Sequence, residues 1–331
     1  MKNRKSSTTP TGNKIRQHYI PKFYLDLWLE KKGELHTVKN VHGKTLHFVK
    51  KTTRDVAVER YFYNIEMDST AWNALKLMFE KKSLVNPFVK KVLEKTFFFA
   101  AADDVFNKGL GITQPNQKLL KQGQEDLKTL RRHYLEDGFS KIEAAISLEL
   151  YKLMSYKEHD PLSHPTAATF QHMLMFYTFQ VFRTPHMEEQ IKKHVSSIIL
   201  RHENGEVVLT EPQKQAVLKC ALFISSQELY NYFENAGCAL SIGINRTELD
   251  FITSDRPAMY FDENNILPDY RSFGVMPLSP NHIMYVRIPR EPLGGGKLSI
   301  NYISDAREVE HVNRLIRSQA FNNLFSTQPF C

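Results

Sequence analysis

The sequence predicts an α+β fold: a mixed or antiparallel sheet built from an N-terminal hairpin and C-terminal strands, with a large helical block inserted between them. Three observations predict it. Apolar and polar residues alternate on both sides of Asn40-Val41-His42-Gly43, the mark of a hairpin. From about residue 69 to 200 the apolar residues recur at helical spacing instead. Past residue 237, short β-branched runs return, separated by Asn, Pro and Gly. The 331 residues are 42% hydrophobic, with 22 Phe and 14 Tyr, enough for one sizeable aromatic core. A single domain over residues 16–331 is expected, with residues 16–65 and 237–331 as its sheet part and 66–236 as its helical part.

Taken in order, residues 1–15 are rich in Ser, Thr and Lys and carry Pro10 and Gly12, the composition of a flexible basic tail. Residues 21–30 start a helix with Pro21 at its first position, where the missing N–H is harmless. Phe23, Tyr24, Leu27 and Trp28 lie along its apolar side. Residues 34–38 and 45–49 form the hairpin, and Tyr61-Phe62-Tyr63 is a short third strand. Helices follow at 71–81 and from Pro87 towards Phe106, then a polar loop at 109–123. Leu135, Phe139, Ile142, Ile146, Leu150 and Leu153 form one face of a long helix. Residues 159–165 break it. Phe170, Leu174, Tyr177 and Val181 mark the next helix. Thr184-Pro185 restarts another, with Thr184 as its cap. A last helix of the block spans 211–233. Strands are expected at 238–244, 249–253, 273–277, 283–287 and 298–302, and a closing helix at 308–321. Gly294-Gly295-Gly296 is a loop, since no Lys-Ser/Thr follows it to cradle a phosphate.

Composition excludes several classes. No apolar run reaches the roughly 18–20 residues of a bilayer-spanning helix, and no apolar segment follows Lys2, Arg4 and Lys5 as in a secretory signal. Cys220, Cys238 and Cys331 form neither a CxxC pair nor a zinc pattern, so a cytoplasmic protein is expected. The net charge of +8 favours a polyanionic partner such as RNA or DNA. Lys2, Arg4, Lys5, Lys14, Arg16 and Lys22 all precede the first acid, Asp26.

Four segments carry candidate chemistry. Gln17-His18-Tyr19-Ile20-Pro21-Lys22 places an imidazole, a phenol, an amide and an ammonium at a helix start. His18 there is a candidate general base, general acid or metal ligand, or else a packed, hydrogen-bonded residue. Phe251 to Pro257 reads as a strand ending in Ser254-Asp255. An acid at a strand end suits a ligand or a cation, and equally suits capping its own turn. Gln180 and Arg183, three apart at a helix end, share a face. Arg183 can clamp a phosphate or carboxylate, or simply favour the negative end of the helix dipole. Glu136 and Glu143 lie two turns apart at the edge of the long helix's apolar stripe, placed to bind a cation, to balance Arg183 or to face solvent.

Together these segments resemble the domain-of-unknown-function 4238 family. The resemblance rests on His18-Tyr19-Ile20-Pro21-Lys22-Phe23-Tyr24-Leu25, Arg183-Thr184-Pro185 after the helix with Gln180, Phe251-Ile252-Thr253-Ser254-Asp255-Arg256-Pro257, Pro277-Leu278-Ser279-Pro280 and the closing helix with Asn313. It covers about residues 16–325. Lys22 and Arg256 depart from the residues most expected there. The resemblance favours functional roles for His18 and Asp255 and implies no reaction; some relatives look like bacterial defence or toxin proteins.

The functional expectation is a nuclease acting on RNA or DNA. His18 would be its general base or acid. Asp255, with Glu143, would orient His18 or hold a divalent cation. Arg183 would stabilise the phosphoryl transition state, while Tyr19, Gln180, Ser254 and Lys22 would hold substrate. The alternative expectation is a non-catalytic module that binds a nucleotide, a nucleic acid or a phage protein through the same residues. The two differ in whether His18 and Asp255 meet in an open cleft.

Overall fold

The computed structural model describes residues 16–30, 32–41, 44–109, 116–160, 164–195, 199–202, 205–262, 270–289 and 296–330. The basic tail, the hairpin tip at His42-Gly43 and Gly294-Gly295 lie outside them.

The N-terminal part opens with β1 (Arg16–His18) and the single-turn helix α1 (Lys22–Asp26), shorter than the helix expected over 21–30 and with Pro21 just before it rather than inside it. The hairpin is β2 (Leu35–Val41) and β3 (Lys44–Lys50), paired in antiparallel register with Thr37 opposite Phe48. The chain then passes through a 3-10 turn into β4 (Val58–Arg60), which pairs with β1 and sets Gln17 opposite Glu59. The expected strand at 61–63 is instead the turn that follows β4. The Gln17 side chain explains the difference: its Oε1 accepts the Tyr63 N–H at 2.7 Å, a bond that a strand would have given to a neighbouring backbone.

Asp68 starts α2 (Ser69–Ser83) by accepting the Ala71 N–H, and Asn86 with Pro87 starts α3 (Pro87–Phe106). The long helix α4 (Gln117–Met154) begins with an Asn116 cap inside the stretch expected to be loop. Its first turns are mostly exposed, touching the rest of the protein at Gly123 beside Phe106, and Gln, Lys and Leu are good helix formers. Next come α5 (Ala167–Phe182), with a Thr166–Thr169 capping box, and α6 (Pro185–Val195), capped by Thr184, whose Oγ1 accepts the Met187 N–H. A small ribbon of β5 (Ile199–His202) and β6 (Gly205–Val208) precedes α7 (Glu211–Asn235).

The C-terminal strands are β7 (Ala239–Asn245), β8 (Thr253–Ser254), β9 (Met259–Asp262), β10 (Tyr270–Ser279), β11 (His282–Pro289) and β12 (Lys297–Ile303), followed by helix α8 (Ala306–Gln319) and β13 (Asn323–Ser326). They divide between two sheets. Five form a mixed sheet in the order β12-β7-β11-β10-β9, with β12 parallel to β7. The N-terminal hairpin takes the others, in the order β3-β2-β13-β8. Most of the strand expected at 249–253 is irregular. Asn313 of α8 holds it that way: its side chain accepts the Ile252 N–H and donates to the Asp250 carbonyl.

One buried cluster joins helices and sheets. Tyr177 of α5 lies over β10 so closely that a Cβ at Gly274 would collide with its ring, and its hydroxyl donates to the Met259 carbonyl at 2.7 Å. Tyr24 of α1 is fully buried. Its hydroxyl pairs with Thr253 Oγ1 at 2.6 Å and donates to the Pro277 carbonyl at 2.7 Å. Three motif segments, around Tyr24, Thr253 and Pro277, thus meet at one phenol. No helix among the described residues is long and apolar enough to cross a membrane.

Two predictions follow from this packing. Tyr24→Phe keeps the ring but leaves a buried hydroxyl and carbonyl without their shared partner. Urea denaturation should show a loss of about 1–3 kcal/mol, and an unchanged midpoint would refute the role given to that phenol. The second concerns His282, beside Ser279 Oγ at 2.9 Å, whose imidazole burial pushes down to about 4. Its folded value lies below its unfolded value of about 6.5. The unfolded chain therefore takes up the proton first, and stability is lost as pH falls from 6.5 towards 4. His282→Asn should remove up to about 3 kcal/mol of that loss, read as a flatter stability profile across this window.

Candidate functional site

β1 ends at His18, and the chain there is held from two sides. The Tyr19 N–H donates to the Ala57 carbonyl at 3.1 Å. The His18 carbonyl accepts Arg183 Nη2 at 2.7 Å and the Tyr63 hydroxyl at 3.0 Å. Arg183 is the residue that ends α5. Its Nε donates to the Tyr63 hydroxyl and its Nη1 to Glu143 of α4. The guanidinium carbon lies 4.4 Å from the Phe139 ring centre, a cation–π contact inside the core. Only 5% of the Arg183 side chain is exposed. Burial alone would weaken its hold on the proton, but Glu143 and Tyr63 reverse that and keep it firmly charged. Burial lowers the His18 imidazole below its ordinary value, and the Arg183 charge lowers it further. His18 is therefore neutral at neutral pH, and its Nδ1 is buried with no hydrogen-bond partner.

Asp255 follows β8 and is 2% exposed. Its Oδ1 accepts the Phe321 N–H at 3.0 Å. Its Oδ2 accepts the Asn322 and Asn323 N–H groups at 2.8 and 2.9 Å and the Asn323 side-chain amide at 3.0 Å. This carboxylate thus caps the backbone between α8 and β13. Ser254 closes a local turn, its Oγ accepting the Arg256 N–H and donating to the Arg256 carbonyl.

Asp255 also lines a cleft of about 570 Å³. Tyr19, Asn322 and Asn323 lie beside it. The hairpin contributes Thr37, Lys39, Phe48 and Lys50 as one wall, and Asp55, Glu59, Pro185 and Glu189 belong to the other. The Tyr19 phenol is raised by burial and by the Asp255 charge next to it. β4, which carries Glu59, is flanked by two non-glycine residues in the left-handed region, Ala57 at φ +50° and Tyr61 at φ +55°. Each such conformation costs about 1–3 kcal/mol.

Hydrogen bonds join three of the four expected site residues, and Asp255 makes its own elsewhere. His18, Glu143 and Arg183 meet, and Gln180, fully buried with its Oε1 lacking a partner, lies on the same helix as the arginine. Asp255 and Tyr19 line the cleft instead, and Arg183, Glu143 and the His18 ring are absent from its walls among the described residues. Lys22 is exposed and pairs with Asp26 at 2.6 Å, lining neither place. What the sequence missed is a second charged group. Lys219 of α7 feels both Glu188 and Glu59. Burial lowers the lysine and raises both carboxylates. These residues come from three distant segments and share no motif spacing, so no sequence signal points to them.

Glu143 and Asp255, the expected cation ligands, are committed to Arg183 and to backbone N–H groups. Among the described residues one other group has metal-ligand geometry, Glu30, Glu34 and His36, whose ligand atoms all lie within 4.8 Å of one another. It lies at the entry to β2, and Glu30 lines a different cleft, with Asp250 and His282. Cys220 and Cys238 are buried free thiols, both pushed up to about 12 by burial, and are not nucleophiles.

The chain belongs to the family described as protein of unknown function DUF4238, whose model matches residues 16–329. No curated protein and no solved structure matches it.

The buried Arg183 sets a testable energy scale. Glu143→Ala leaves a guanidinium in the core without its counter-charge and should destabilise the fold by about 3 kcal/mol. Combining it with Arg183→Met should cost much less than the sum of the two single changes, measured by a double-mutant cycle in urea. Additive losses would show that the pair is not coupled.

Proposed function

We propose that the cleft between the hairpin and the β1–β4 ribbon binds a nucleotide or a short single-stranded segment of nucleic acid without cleaving it. The observation that carries this reading is the hairpin wall. Lys39 and Lys50 flank a half-exposed Phe48, with the Lys50 ammonium 5.7 Å from the Phe48 ring centre. An aromatic face between two cations suits a base stacked beside its phosphates. Three of the cleft's four acids are already engaged, which leaves Glu189 against the two lysines. Asp55 pairs with Arg16 at 2.5 Å, Asp255 is surrounded by N–H donors, and Glu59 feels the charge of Lys219. The overall charge of +8 adds attraction at longer range. Binding without catalysis fits the commitments of Asp255 and Arg183, which leave neither free to act on a substrate. A reducing cytoplasm suits the two free thiols, Cys220 and Cys238.

A nuclease is the second reading, and one observation favours it: a neutral His18 with an unpartnered Nδ1 beside the Arg183–Glu143 pair. One set of samples separates the two. Fluorescence anisotropy with labelled single-stranded RNA and DNA, and with nucleotides as competitors, should give saturable, salt-sensitive binding. Lys39→Glu with Lys50→Glu should weaken it at least tenfold, and Phe48→Ala by about fivefold or more. These residues are exposed, so thermal melting should not change. Absence of binding to any of these ligands, or binding indifferent to the lysines, would overturn the proposal. The same oligonucleotides are then run on gels after incubation with Mg²⁺ or Mn²⁺. Intact strands support binding alone, whereas cleavage abolished by His18→Ala would establish the nuclease.

A further inference from the structure

A second cavity, of about 700 Å³, lies where α3 and α4 meet α7. It is unlike the cleft in chemistry. Phe88, Val92, Phe98, Phe99, Leu130 and Ile142 make most of its wall. The volume falls in the range of about 300–1,000 Å³ that small-molecule pockets occupy. Phe98 is 55% exposed and its neighbour Phe97 51%, an unusual exposure for two adjacent aromatics of one helix.

Charge is what selects an occupant. Three exposed lysines, Lys91 and Lys95 one turn apart on α3 and Lys141 on α4, stand around the apolar lining against a single acid, Asp137. A long apolar wall with an excess of ammonium groups at its edge complements an amphiphile with an anionic head. The alkyl chain would displace water from the aromatic wall, at roughly 0.8 kcal/mol for each methylene buried, while the head stayed hydrated among the lysines. Gly138 helps to keep the space open, since a Cβ there would lie 3.3 Å from Phe223, which forms part of the same wall.

We infer that this cavity binds a long-chain fatty acid, with its carboxylate at Lys91, Lys95 and Lys141 and its chain against Phe88, Phe98 and Ile142. The site is independent of the nucleotide cleft and of any reading of it. Palmitate, added to the full-length protein, should displace a fluorescent fatty acid in a saturable, one-to-one manner. Hexadecanol, which has the same chain and no charge, should compete at least tenfold more weakly. Lys91→Glu with Lys95→Glu should lower palmitate affinity at least tenfold. Thr129→Trp, which changes an exposed residue on the wall and fills the space, should lower it for both ligands. Unchanged thermal melting of the variants keeps these readings free of folding effects. Absence of saturable displacement overturns the inference. So does equal competition by hexadecanol, or indifference to both the lysine and Thr129 variants. Binding to phosphatidylglycerol vesicles without binding to palmitate would also overturn it, and would identify the lysines as a membrane-facing patch.

Discussion

The fold depends on how the Arg183 guanidinium is satisfied. A buried cation is tolerated only if its charge is balanced and its N–H groups find acceptors. Here the acceptors come from β1, from the turn after β4 and from α4, with the aromatic face of Phe139 against the charged plane. Those segments lie 165, 120 and 40 residues from the arginine. None of them can shift without exposing an unpaired charge. The cation therefore acts as a bolt through the N-terminal ribbon and the helical block, and it sets where Tyr19 leaves β1 to form one side of the cleft.

The same logic recurs at smaller scale. Tyr24, Asn313 and Asp255 each use a side chain to satisfy backbone groups that no helix or strand can reach. Such groups are expensive to leave unpaired inside a protein. This explains why segments with residues suited to catalysis, His-Tyr at one end and Ser-Asp at the other, serve largely as fasteners. The hydroxyls, amides and carboxylates that an active site needs are also those that hold irregular backbone in place. Asp255 also lines the polar cleft against the hairpin, while the apolar cavity between α3 and α4 is lined by other residues.

Much of the architecture was legible because it rests on local periodicity. The hairpin, α2, α3, α5, the start of α6 at Thr184-Pro185, and the middle of strands β7, β10, β11 and β12 all follow from residue spacing and capping. The misreadings have physical causes. Tyr61-Phe62-Tyr63 has strand-forming residues, but the Gln17 amide takes its hydrogen bond. Residues 117–123 look like loop because most of them are polar and exposed, yet they continue a helix that touches Phe106 at Gly123. β13 is four residues near the chain end and is stabilised by pairing with β2, a contact between residues nearly 300 apart that no local pattern reveals.

The candidate site was legible only as an inventory. Sequence alone determined the α+β class, the family and the residues worth examining, since propensity, motif and order are properties of the chain itself. Pairing with Arg183 was one of three readings open for Glu143, beside a cation and solvent, and the structure shows that pair. Tertiary structure alone decided that Asp255 binds the backbone before β13 rather than that pair, and that Lys219 feels the charges of Glu59 and Glu188. It alone decided that Lys91, Lys95 and Lys141 surround one cavity. Those outcomes depend on how helices and sheets pack across hundreds of residues, and packing is set by the whole buried surface at once rather than by any one segment.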